Sequence, residues 1–126
     1  MNVSLNISKC NRTEYDWNSV DNFFNGIDCN DNLLTEIILN ENIKYLKCDN
    51  NLLTEIICNE NLISLICDNN LLTEIICNEN LTWLNCRKNK IKHIKINENL
   101  ETILCDAITN LDDYFYNENL EIYVEL

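Results

Sequence analysis

Leu46-Lys47-Cys48-Asp49-Asn50-Asn51-Leu52-Leu53-Thr54-Glu55-Ile56-Ile57-Cys58-Asn59-Glu60-Asn61-Leu62 returns almost unchanged 19 residues later, as residues 65–81, with Ile66 where the first copy has Lys47. Cysteine keeps the same step at positions 10, 29, 48, 67, 86 and 105, and the other two cysteines, Cys58 and Cys77, are also 19 apart. A fixed short period is the signature of a solenoid, a chain that coils on itself once per repeat. The fold class expected is therefore a repeat solenoid.

Within a coil, Leu65 and Cys67 lie two residues apart, so an extended segment points both inward while Ser64, Ile66 and Asp68 point out. Strands from successive coils then pair in parallel, about 4.8 Å apart. Asn32, Asn51, Asn70 and Asn89 follow the strand, where the chain must turn. An amide with two donors and one acceptor oxygen, stacked on its neighbours, can satisfy turn backbone groups that would each cost about 1–3 kcal/mol if buried unpaired. Leu53, Ile56 and Leu62, with their equivalents, bury the returning limb. One coil cannot bury that face alone, so stability comes from stacking.

Across a coil boundary, Leu62, Leu65, Cys67, Asn70, Leu72 and Ile75 follow the pattern LxxLxCxxNxLxxI. This resembles the leucine-rich repeat family, with Cys in a slot that often holds Leu, and the resemblance covers roughly residues 27–106. It implies an arc with a parallel sheet on the concave face and short extended or turn-like segments on the convex face. The 19-residue period is close to the shortest repeats of the family, which are similar to those of bacterial effector, amoebal and giant-virus proteins. Those effector repeats usually place Pro in the return limb. This chain has no Pro, and an Asn-Glu-Asn run stands there instead, at 40–42, 59–61, 78–80 and 97–99.

At 126 residues the chain reads as a single domain. An N-terminal strand and cap occupy 1–26, four regular repeats 27–102, and an irregular repeat with a closing strand 103–126. Val3, Leu5 and Ile7 alternate as a strand that begins the sheet. Tyr15, Trp17, Val20, Phe23 and Phe24 are read as a cap over the open core. Toward the C-terminus, one extra residue before Leu111 aligns Leu111 with Leu72 and Leu120 with Leu81, and Leu120, Ile122, Val124 and Leu126 close the sheet. No apolar run is long enough to span a membrane, and no signal peptide is evident. All eight cysteines are expected in inward columns as small buried hydrophobes, reduced in a cytoplasmic compartment.

The chain is expected not to be an enzyme. His93, the single histidine, falls in the outward slot held elsewhere by Glu36, Glu55 and Glu74. The columns of like-charged glutamate are explained by duplication, and one Gly leaves no phosphate-binding loop. Zinc sites are usually announced by Cys pairs roughly two to four residues apart, so no metal and no cofactor are expected. The alternative reading, a thiol-rich structural or metal- and redox-binding protein, needs the two cysteine columns to converge inside the coil. A net charge of −12 disfavours nucleic acid, and no membrane partner is expected. What remains is recognition of a protein partner by side chains that vary on a uniform frame. Tyr45, Lys47, Ile66, Trp83, Asn85, Arg87 and Leu104 are the expected partner-binding residues of the concave face, because aromatic residues and Arg supply most interface anchors. The run from Arg87 to Lys95 holds five of the nine Lys and Arg and forms a basic band across one coil.

Overall fold

The computed structural model describes residues 4–10, 13, 23–107, 110–112 and 119–125. Tyr15, Trp17 and Val20 of the expected cap, and Val3 and Leu126, lie outside them. The described residues form a parallel β-solenoid of about 5 turns without helix. Its strands are β1 (Ser4–Asn6), β2 (Gly26–Asp28), β3 (Tyr45–Lys47), β4 (Ser64–Ile66), β5 (Glu74–Ile76), β6 (Trp83–Asn85), β7 (His93–Lys95), β8 (Thr102–Asp106), β9 (Asn110–Asp112) and β10 (Glu121–Glu125). A broad 7-stranded sheet runs β1-β2-β3-β4-β6-β8-β10, and a narrow 3-stranded sheet on the return limb runs β5-β7-β9.

The period of the sequence becomes the register of the broad sheet. Leu46 pairs with Leu65, Leu65 with Leu84 and Leu84 with Ile103. These central residues point inward and are 0–1% exposed. Behind them run columns through Cys48 and Cys67, Leu53 and Leu72, Ile75 and Ile94, and Leu62 and Leu81, all buried. Every repeat supplies one side chain to each column, so the core is continuous along the axis.

The asparagines that follow the strand act as expected. Asn51 donates from Nδ2 to the carbonyls of Cys29 and Cys48, both at 3.0 Å, and its Oδ1 accepts the Leu34 N–H at 3.0 Å. Asn70 and Asn89 repeat the arrangement one and two coils on. The turn itself needs a left-handed residue, and Asp31, Asn50, Asn69 and Lys88 take it, with φ of 54–55°. Asn and Asp tolerate this conformation better than other non-Gly side chains.

The Asn-Glu-Asn runs are a second set of staples. Asn59 donates to the Asn40 and Ile43 carbonyls at 2.7 and 2.9 Å, and Asn61 to the Glu41 carbonyl at 2.9 Å. Asn97 bonds the Asn78 and Leu81 carbonyls in the same way. The first Asn also accepts the N–H two residues on, as Asn59 Oδ1 does from Asn61 at 2.8 Å, which closes the turn locally. The amides thus hold the limb that Pro would otherwise stiffen.

Two expectations are corrected. Cys10 is exposed and does not continue the cysteine column. β1 pairs Leu5 with Ile27 and Asn6 with Asp28, an offset of 22 residues, so buried Ile7 takes the slot beside Cys29. Lys9, with φ 56°, then matches Asp31, and Cys10 stands where the other coils have Asn. At the other end, β10 pairs Ile122 with Ile103 and Val124 with Cys105. That ladder keeps the 19-residue step, with no extra residue between β8 and β10. The irregularity lies in the limb, where Leu111 pairs with Ile94, the equivalent of Ile75 and not of Leu72.

Candidate functional site

The outward positions of the broad sheet form two columns fixed by the ladder. One runs Tyr45–Ser64–Trp83–Thr102 and the other Lys47–Ile66–Asn85–Leu104. Six of the seven residues expected to bind a partner lie in these columns, and Arg87 follows two residues after Asn85, beyond the end of β6. Tyr45, Ile66, Trp83 and Leu104 are half-buried by their neighbours and Lys47 is exposed. Tyr45 and Trp83 are two strands apart, about 10 Å, with the small Ser64 between them.

Asn85 is 8% exposed and its groups are engaged on the face. Its Nδ2 donates to Asp68 Oδ1 at 3.2 Å, and its Oδ1 accepts from Arg87 Nε at 3.3 Å. Arg87 Nε also lies 3.8 Å from Glu125 Oε2. The guanidinium is thereby held near Asn85 and Glu125, its side chain 34% exposed.

Gly26 stands between Ser4 and Tyr45 in the ladder, and a Cβ there would come within 2.4 Å of Ser4 Oγ. The same strands border a depression of about 200 Å³ lined by Ser4, Asn6, Ile27, Asp28, Tyr45 and Lys47. It places an aromatic ring, an ammonium and a carboxylate around one hollow.

The turn edge of this face is acidic and ordered. Asn50 donates to Asp31 at 2.8 Å and to Asp49 at 3.1 Å, and Asn69 donates to Asn50 at 2.6 Å. The Asp49 carboxyl is raised from its ordinary value, first by burial and then by Asp68, Asp31 and Asp28, with its own backbone hydrogen bond opposing.

The thiols have a different character. All eight cysteines are free. Burial pushes Cys29 and Cys77 up to about 12 and Cys58 up to about 11, and raises Cys48, Cys67 and Cys86 strongly in the same direction. The nucleophilic and metal-ligating form is the thiolate, so these are neutral packing groups at physiological pH. Among the described residues no group of three or more His, Cys, Asp and Glu is placed to hold a metal ion. His93 is exposed on β7, paired with Glu74 of β5.

One feature escaped the sequence reading. Ile38, Ile57 and Ile76 are 61–74% exposed on the return limb. The signal was the doublet Ile37-Ile38 and its repeats Ile56-Ile57 and Ile75-Ile76, since only one member of each pair can face inward. Comparison with protein-family profiles, with curated proteins and with solved structures finds no match to this chain.

Proposed function

We propose that this chain is a non-enzymatic recognition module that binds a protein partner through the outer face of its broad sheet, in the manner of the leucine-rich repeats it resembles. The observation that carries this reading is the contrast between the two sides of one ladder. Inward, Leu46, Leu65, Leu84 and Ile103 are nearly interchangeable; outward, Tyr45, Ser64, Trp83 and Thr102 in the same strands differ in size, shape and polarity. Packing requires only the inward set, so the outward set is free to specify a ligand. Trp83 and Tyr45 would anchor the partner, Arg87 would take an acidic group at the rim, and the hollow between Asp28, Tyr45 and Lys47 would receive a protruding side chain. Neutral, unbridged thiols support a reducing, cytoplasmic setting.

The test is affinity capture from a cytosolic extract with the wild-type chain and with a Tyr45→Ala/Trp83→Ala variant of matched stability. A partner retained by the wild type and lost by the variant supports the reading. Equal retention by both overturns it.

A further inference from the structure

The narrow sheet presents a face of its own. Glu74 and Ile76 are exposed on either side of buried Ile75, and residues 36–38 and 55–57 alternate in the same sense. Ile38 pairs with Ile57 in parallel, and Ile57 and Ile76 line one shallow groove together with Glu55 and Glu74. The three isoleucines therefore make a continuous apolar column, one residue per coil, at 61%, 74% and 64% exposure. Isolated exposed apolar residues are ordinary; a contiguous column of them marks an interaction surface.

Charge says what covers it. Glu36, Glu55 and Glu74 border the column on one side. Glu41, Glu60 and Glu79, also exposed, follow it on the other, and Ile76 and Glu79 line a common groove. One coil further on, the ladder puts His93 beside Glu74 and Lys95 beside Ile76, so the first acidic line and the apolar line stop there, while the second acidic line continues through exposed Glu98. The result is an apolar strip three coils long, walled by carboxylates and closed at one end. A second copy is a poor occupant, because it would bring its own glutamates against these and each chain carries a net charge of −12.

We propose that this strip is a docking groove for a cationic amphipathic helix of a partner protein, a second site separate from the broad sheet. The dimensions fit: coils repeat about every 4.8 Å and a helix advances about 5.4 Å per turn. Apolar residues at i, i+4 and i+7 would sit over Ile38, Ile57 and Ile76 in turn. Lys or Arg on both flanks of that helix would reach the two lines of glutamate. This is the helix-in-groove mode of recognition, with the acidic walls selecting for a basic helix.

The experiment titrates the full chain against a labelled synthetic helical peptide with Leu at i, i+4, i+7 and i+11 and Lys on both flanks, followed by fluorescence anisotropy. Two controls accompany it: the same composition scrambled, and the same pattern with every Lys replaced by Glu. The patterned basic peptide is expected to bind at least tenfold tighter than either control, with binding weakened by salt. Ile57→Asn/Ile76→Asn should reduce that binding at least tenfold, and Glu55→Gln/Glu74→Gln, which leaves the apolar strip and the fold intact, at least threefold. Trp83→Ala should leave it unchanged. Equal binding of the scrambled peptide, or full binding by the Gln variant, overturns the proposal. So does concentration-dependent dimerisation in sedimentation that Ile57→Asn abolishes, which would make the strip a self-association surface.

Discussion

Asn70 accepts the Leu53 N–H of the preceding coil on Oδ1 at 3.0 Å, while its Nδ2 donates to the Cys48 and Cys67 carbonyls at 3.0 and 3.1 Å. One buried amide thus satisfies backbone groups of two coils at once. Asn70→Ala removes these three bonds, and a longer one to the Asp68 carbonyl at 3.3 Å, and leaves those groups without water. Stranded buried polar groups cost about 1–3 kcal/mol each, so a loss of at least ~3 kcal/mol is expected in urea denaturation. Asn70→Asp should also destabilise, because a carboxylate cannot donate to the two carbonyls. A loss below ~1 kcal/mol for Asn70→Ala would show that the ladder is redundant.

The buried thiols predict weakness in alkali. Folding raises Cys29 and Cys77 from 9.0 to about 12 and Cys58 from 9.0 to about 11. Between those limits the unfolded chain gives up protons that the folded chain retains. The unfolded state therefore binds fewer protons there, and stability falls as pH rises. Their contribution is fully present below about pH 9 and is lost progressively toward pH 12. Urea midpoints should be level from pH 7 to 8.5 and drop steeply above. A Cys29→Val/Cys77→Val variant should show a shallower drop.

Exposure separates one cysteine from the rest. Cys10 should react with a thiol reagent in the native protein, while buried Cys29, Cys48, Cys67, Cys77, Cys86 and Cys105 should react only after unfolding. Rapid native labelling of Cys67, read by peptide mass spectrometry, would contradict the packing described.

Lys88 carries φ 55° at a position held by Asp31, Asn50 and Asn69 in the other coils. A left-handed conformation costs a residue with an ordinary side chain about 1–2 kcal/mol, which Asn relieves in part. Lys88→Asn is expected to raise stability by up to ~1 kcal/mol and the melting temperature by a few degrees. A fall would mean that the lysine side chain contributes more than its backbone costs.

On the broad sheet, Trp83→Ala and Tyr45→Ala should weaken partner binding by ~2 kcal/mol each with a smaller change in melting temperature. Reversing Arg87 to Glu should slow association and flatten its dependence on salt, as rim charges act mainly on the on-rate. Arg87→Glu also sets like charges near Glu125, so its melting curve must be read beside its kinetics. Variants that melt far below wild type while binding normally would assign these side chains to the frame.

How far the sequence could be read follows from what each residue does. Leu65, Cys67 and Asn70 were legible because their roles repeat every coil and depend on a two-residue alternation and an amide's donors. Cys10 was misplaced because the spacing of 19 holds in sequence but not in space. The pairing of Ser4 with Gly26 sets the offset, and Ile7 fills the same small apolar slot as a cysteine. Leu111 was misaligned for a related reason: β9 and β10 are each placed by their own ladder, so a shorter step before Leu111 is made up after it. Ile56 was placed inward by its repeat position, but that its neighbour Ile57 joins Ile38 and Ile76 in one exposed column depends on the pairing of the return limbs. The candidate face was legible as a set of outward positions, whereas the hollow beside Tyr45 and the engagement of Asn85 depend on neighbours from other coils.

The asparagine staples also bear on how such a chain changes length. Each amide binds carbonyls and an N–H that the adjacent coil supplies in identical form, as Asn51 does with Cys29 and Leu34 and Asn70 with Cys48 and Leu53. A whole 19-residue unit gained or lost between stretches as alike as 46–62 and 65–81 would therefore meet the same partners on both sides. Coil number can drift while every internal junction stays satisfied, and each added unit lengthens the outer faces by one strand whose exposed residues are new material for selection.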